Sequence, residues 1–179
     1  MSKATAWEST EVRGPKLAFS LTPENCGRML KRAKRLLIVV GGGALDMKSD
    51  GLDVPDFTVT LAKTLNGTIA ISPGVYKAYQ KYSNVKIINI GLEDLVNRLK
   101  ESDWNGFDDG GAYDMVVFIG GLYYFQSMML STLKHFAPKV KTISIDRFYH
   151  PNAEFSLENL SIEKWREGLD SIIKILKVK

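Results

Sequence analysis

The stretch from Arg35 to Asp46, Arg-Leu-Leu-Ile-Val-Val-Gly-Gly-Gly-Ala-Leu-Asp, constrains the fold more than any other part of the chain. Leu36 to Val40 is an unbroken run of branched apolar side chains with no polar alternation, the pattern of a strand buried on both faces. Such strands belong to parallel sheets covered by helices, so this run predicts the central strand of an α/β domain. Three glycines follow at once. At the carboxyl end of a strand they permit a sharp turn and a close approach of a ligand to the backbone, because no Cβ stands in the way.

A dinucleotide-binding turn spaces its glycines G-x-G-x-x-G and is followed by an acidic residue that holds the ribose. Gly41 and Gly43 fill the first two places and Asp46 occupies the third. The next apolar strand, Thr68 to Ile71, runs into Ser72-Pro73-Gly74 and supplies no carboxylate. The pattern is met equally by a tight structural turn and by a phosphate cradle of an unusual mode.

The remaining elements follow from periodicity. Thr22 and Pro23 cap a helix expected over Pro23 to about Lys34, and its terminal cations complement the helix dipole. Val54, Phe57, Thr58, Leu61, Ala62 and Leu65 mark a second helix closed by Asn66-Gly67. A short helix carries Tyr76, Tyr79 and Tyr82, which reads as half-buried packing or as a partner-facing surface. Val85 to Ile90 is a third strand, with an amphipathic helix after it from Leu92 to about Ser102.

Met115 to Ile119 is the fourth strand and ends in a second glycine pair, Gly120-Gly121. If it lies beside the first, both glycine turns face the crevice where a doubly wound sheet binds its ligands. Gly41, Gly42, Gly43, Gly120 and Gly121 are therefore the candidate cofactor-binding residues. The next helix is expected to turn Leu122, Phe125, Met129, Leu133 and Phe136 inward, and Lys141 to Ile145 is a fifth strand. A last helix points Ile162, Trp165, Leu169, Ile172, Ile173 and Leu176 at the core. The fold expected is a three-layer, Rossmann-like α/β domain with a parallel sheet of about five to six strands, over residues 21–179. Residues 1–20 read as an arm laid over the domain or over a partner.

Catalytic and metal-binding material is thin. The only cysteine is Cys26, which excludes an internal disulfide and any site built from four cysteines of this chain. His150 and Asp146 form the one plausible acid–base pair, and an ordinary loop salt bridge or helix-cap contact is the better explanation of their spacing. There is no G-x-S-x-G elbow, Walker lysine or metal motif. Asp108 and Asp109, between glycines, read as a solvated turn that Trp104 and Phe107 pin to the body. Lys and Arg number 24 against 20 acidic residues, spread along the chain, so neither nucleic acid nor a charged membrane is implied as partner. With no apolar span and no signal-peptide core, the expected location is the cytoplasm.

Several segments together resemble the epsilon subunit family of the archaeal acetyl-CoA decarbonylase/synthase complex. They are Lys31-Arg32-Ala33-Lys34-Arg35 through Gly41, then Asp103-Trp104-Asn105-Gly106-Phe107-Asp108, then Tyr113-Asp114 with Tyr123-Tyr124. Ser144-Ile145-Asp146-Arg147, Asn152-Ala153 and Asn159-Leu160-Ser161 complete the set. The resemblance implies a fold similar to deoxyhypusine synthase and other NAD- or FAD-binding proteins. It also implies a partner, the nickel–iron–sulfur alpha subunit of carbon monoxide dehydrogenase, in a two-alpha two-epsilon complex. The family's small subunit is thought to stabilise that partner and to take part in passing electrons to FAD during CO oxidation. No catalytic residue carries over, and no cofactor is assigned beyond FAD or another nucleotide as the group to test. The competing reading is a free-standing nucleotide-binding enzyme or sensor that uses FAD, NAD or CoA.

Overall fold

A computed structural model describes residues 17–47 and 53–178. Its strands are β1 (Phe19–Leu21), β2 (Leu36–Val40), β3 (Thr68–Ile71), β4 (Ile87–Asn89), β5 (Met115–Ile119), β6 (Lys141–Ser144) and β7 (Phe155–Leu157). Its helices are α1 (Pro23–Leu30), α2 (Val54–Leu65), α3 (Tyr76–Tyr79), α4 (Leu92–Lys100), α5 (Tyr123–Phe136) and α6 (Ile162–Lys177). All strands join one sheet in the order β1-β7-β6-β5-β2-β3-β4, and each pairing is parallel.

The expectation from Leu36 to Val40 holds at every position. All five residues are buried, and the strand lies between β3 and β5 in the middle of the sheet. Leu36, Ile38 and Val40 face a core shared with Leu30 of α1, Phe57 and Leu61 of α2, and Trp165 and Leu169 of α6. Leu37 and Val39 face the other way, against Leu95 of α4 and Leu130 and Leu133 of α5. Alternate residues of one strand therefore serve two helical layers, which is why it shows no polar alternation.

The sheet has seven strands rather than five or six. The two unforeseen ones have the same sequence, Phe-Ser-Leu, and pair in register, Phe19 with Phe155, Ser20 with Ser156 and Leu21 with Leu157. Three residues with a central serine carry no usable period. What holds them is specific. The Phe19 and Phe155 rings lie 5.7 Å apart, and buried Ser156 accepts the His150 N–H through Oγ at 3.0 Å. Phe19 and Ser20, expected in the arm, are thus part of the sheet edge, while residues 1–16 of that arm lie outside the described residues.

Two helices differ from expectation. α1 ends at Leu30 rather than near Lys34, because Asp114 draws the following chain into the entry of β2, accepting the Lys34 N–H at 3.1 Å and the Arg35 N–H at 2.8 Å. In α5 the buried line is Gln126, Leu130 and Leu133; of the expected stripe Leu133 is buried and Met129 packs against the core, whereas the two ends do not. Both Leu122 and Phe136 are exposed. Apolar side chains fall on several faces of the helix, so periodicity alone could not orient it, and a buried carboxylate that bonds Gln126 decides the rotation.

The loop after α4 is pinned as expected. Trp104 meets Phe107 edge-on at 5.0 Å and Tyr113 at 5.8 Å. Asp108 is not simply solvated, since it pairs with Arg35, whose guanidinium holds its carboxyl below the usual range. In α3, Tyr79 is buried with its hydroxyl 2.7 Å from Thr58 Oγ1, while Tyr76 is exposed. No helix among the described residues is long and apolar enough to cross a membrane.

Candidate functional site

β5 does lie beside β2, with Val40 opposite Ile119, so the two glycine turns leave adjacent strands at the point where the strand order reverses. They meet in direct contact. The Gly41 N–H donates to the Ile119 carbonyl at 2.9 Å, and a Cβ on Gly41 would strike the Gly120 carbonyl and the Gly121 backbone. A Cβ on Gly43 would sit 3.1 Å from the same carbonyl oxygen, and one on Gly120 would sit 2.6 Å from the Ala44 Cβ. Gly120 also has φ +72°, which side chains rarely adopt. Gly121 faces the Gln126 side chain. Only at Gly42, of the five candidate residues, would a Cβ meet nothing within 4 Å.

Under the second turn lies a buried polar cluster that explains its shape. Asp146, just past the end of β6, accepts the Gly120 N–H at 2.6 Å on one oxygen and Gln126 Nε2 at 2.6 Å on the other. Ser144 Oγ donates to the second oxygen at 3.1 Å. The carboxylate belongs to a residue only 3% exposed, and burial pushes its pKa up to about 6 against the pull of those donors. His150, 1% exposed, places Nε2 3.7 Å from an Asp146 oxygen. Burial pushes its pKa down to about 4, so at neutral pH it is an uncharged neighbour and not a salt-bridge cation. The Tyr123 ring stacks on the imidazole at 4.3 Å, and its hydroxyl donates to the Tyr149 carbonyl at 2.9 Å.

The pair anticipated from its spacing is therefore real, and its surroundings make it a latch. Asp146 ties β6, the β5 turn and the first turns of α5 together, while His150 and Tyr123 cover it. Gln126 and Ser144 were not foreseen. The only hint was an aspartate two residues beyond a strand serine, and no local pattern points from it to a glutamine twenty residues earlier. Beside the latch, Asp46, Met47, Gly121, Tyr123, Arg147, Phe148 and Ile162 help line a cavity of about 190 Å³. Sites for drug-sized ligands run from roughly 300 to 1,000 Å³. Among the described residues Gly41, Gly43 and Gly120 are filled by each other's turns and no carboxylate follows β3, so the usual ribose contact of FAD or NAD is missing. Cys26 is buried, and its thiol is pushed up to about 12, so it offers no thiolate at neutral pH.

Comparison with known proteins adds what the geometry alone does not name. The profile of the family described as CO dehydrogenase beta subunit/acetyl-CoA synthase epsilon subunit matches residues 2–173. The acetyl-CoA decarbonylase/synthase complex subunit epsilon of Methanothermobacter thermautotrophicus is 34% identical over 93% of this chain and 92% of its own length. The protein of the same name from Methanothrix soehngenii is 33% identical over 96% of this chain and 90% of its own. Subunit epsilon 1 from Archaeoglobus fulgidus is 36% identical over 90% and 85%. The chain belongs to the CO dehydrogenase beta subunit/acetyl-CoA synthase epsilon subunit family.

Proposed function

We propose that the chain is a non-catalytic subunit of the carbon monoxide dehydrogenase component of an acetyl-CoA decarbonylase/synthase complex, where it stabilises the nickel–iron–sulfur subunit. The observation that carries this reading is the family match over nearly the whole chain, together with relatives named as subunits of that complex. The site chemistry agrees with it. Asp146, Ser144 and His150 are enclosed and engaged in holding a turn, and the one cysteine is an inert core thiol. The metal chemistry then belongs to the partner, with two copies of each subunit in the complex.

The stabilising role has a direct readout. CO oxidation by the nickel subunit is measured after heating under anaerobic conditions, with and without this chain. The chain alone is expected to show no turnover, and its presence is expected to lengthen the half-life of the activity several-fold. An unchanged half-life in a complex that does form would contradict the stabilising role.

One observation favours a second reading, in which a nucleotide phosphate sits at the first glycine turn as part of electron transfer to FAD or of a free-standing activity. Gly42 is open to solvent at the carboxyl end of the central strand. Titration calorimetry with FAD, NAD and CoA, on the wild type and on Gly42→Val, tests it. Gly42 is the informative position because a Cβ there meets nothing within 4 Å, whereas one at Gly121 would collide with Gln126 and perturb folding. Binding heat abolished by Gly42→Val supports this reading, and no heat with any of the three removes it.

A further inference from the structure

We infer that the cavity beside the latch, past the carboxyl ends of β5 and β6, binds a small hydroxy acid with an apolar body, whose carboxylate meets Arg147 and the open start of α5 and whose hydroxyl meets His150. The inference goes beyond the subunit reading and does not depend on it. The cavity is also separate from the open glycine at position 42, which is not among its walls.

His150 points to a ligand. It forms part of the cavity wall and is buried. Neither nitrogen of its ring is hydrogen-bonded among the described residues. Nδ1 is buried without a partner, and Nε2 stands 3.7 Å from Asp146, beyond hydrogen-bond reach. The Asp146 oxygens already accept from Gly120, Gln126 and Ser144, which hold the carboxylate where it is. A buried polar atom without a partner costs about 1–3 kcal/mol, so folded proteins carry few of them. A hydroxyl suits this wall whichever ring nitrogen carries the proton, because it both donates and accepts.

The rest of the wall selects the other groups. α5 reaches the cavity through Gly121 and Tyr123, its N-cap is Leu122, and no side chain caps it. The N–H groups of its first turn have no intrahelical acceptor, and the dipole of the helix favours an anion at that end. α6 reaches the same cavity at Ile162 but is closed by Ser161, whose Oγ accepts the Lys164 N–H at 3.3 Å. Arg147 adds a guanidinium, held over the Phe148 ring at 4.1 Å, and a guanidinium pairs well with a carboxylate. Asp46 and Asp146 lie on the same wall. A doubly charged phosphate would meet two carboxylates and one cation there, so a single carboxylate is the anion that matches. Met47, Phe148 and Ile162 supply the apolar part. The volume of about 190 Å³ suits a compact molecule, since an apolar cavity of about 150 Å³ holds benzene.

The test is a titration of the intact chain, isotope-labelled at its histidine ring nitrogens, with mandelate, phenylacetate and mandelamide. The second lacks the hydroxyl and the third lacks the charge. Nitrogen NMR shifts of the His150 ring report hydrogen bonding at each nitrogen, and exposed His135 is the internal control. Mandelate is expected to move the His150 shifts saturably and to leave His135 in place. Phenylacetate should bind at least fivefold more weakly and mandelamide at least tenfold. Arg147→Gln, with an unchanged far-UV spectrum and thermal midpoint to establish its fold, should weaken mandelate at least tenfold and mandelamide less than twofold. His150 shifts that none of the three compounds moves at millimolar concentration overturn the inference. Mandelate binding that loss of the hydroxyl, of the charge or of Arg147 leaves within twofold overturns it as well. Either failure leaves the subunit reading standing, because recovery of the larger subunit tests that reading separately.

Discussion

Asp146 and His150 are pushed by burial in chemically opposite directions, and their effects on stability oppose each other. Asp146 has its folded pKa raised from 3.8 to about 6, so its contribution is fully present below the unfolded value and is lost as pH rises through about 6. His150 has its folded pKa lowered from 6.5 to about 4, so its contribution is present above 6.5 and is lost on acidification toward 4. Between pH 4 and 6 the two contributions run in opposite directions. Removing one should expose the other. Relative to wild type, Asp146→Asn is expected to lose stability between pH 7 and 4.5, and His150→Gln to gain it, as read from urea unfolding at the two pH values. Three proteins with the same pH dependence would contradict the assignment. Asp146→Ala leaves the Gly120 N–H and Gln126 Nε2 buried without an acceptor, and should cost about 3 kcal/mol at neutral pH.

Among elements, the two glycine turns and α5 make the sharpest predictions. Gly120→Ala meets both a positive φ and the Ala44 Cβ, and is expected to destabilise by about 2–4 kcal/mol, whereas Gly42→Ala should stay within about 0.5 kcal/mol. Equal effects in a denaturant titration would mean that the turns do not pack as described. Leu130→Ala should cost about 2–5 kcal/mol and Phe136→Ala under about 0.5 kcal/mol, since the first is core and the second is surface. Leu36 to Val40 and Met115 to Ile119 were legible as buried strands because burial on both faces removes every polar residue, a signal contained in five positions. β1 and β7 were not, since three residues hold no period and their pairing depends on partners more than a hundred residues apart. The rotation of α5 was likewise decided by Asp146, a contact no helical wheel contains. Glycines 41, 43 and 120 were correctly placed together, but sequence could not distinguish room for a ligand from room for the neighbouring turn.

For the whole molecule, a seven-stranded parallel sheet is covered on one side by α1, α2 and α6 and on the other by α4 and α5. The buried latch ties β6, the turn after β5 and the start of α5 together, and Tyr124, Met128 and Phe136 of α5 stand exposed. In the proposed role the chain works as a docked subunit and not alone. Anaerobic affinity purification of the tagged chain from its native host, followed by native mass spectrometry and nickel and iron analysis, tests it most directly. The expected product is a complex in which a larger subunit arrives with both metals, in equal numbers with this chain. A monodisperse, metal-free chain that recruits no larger subunit would contradict it.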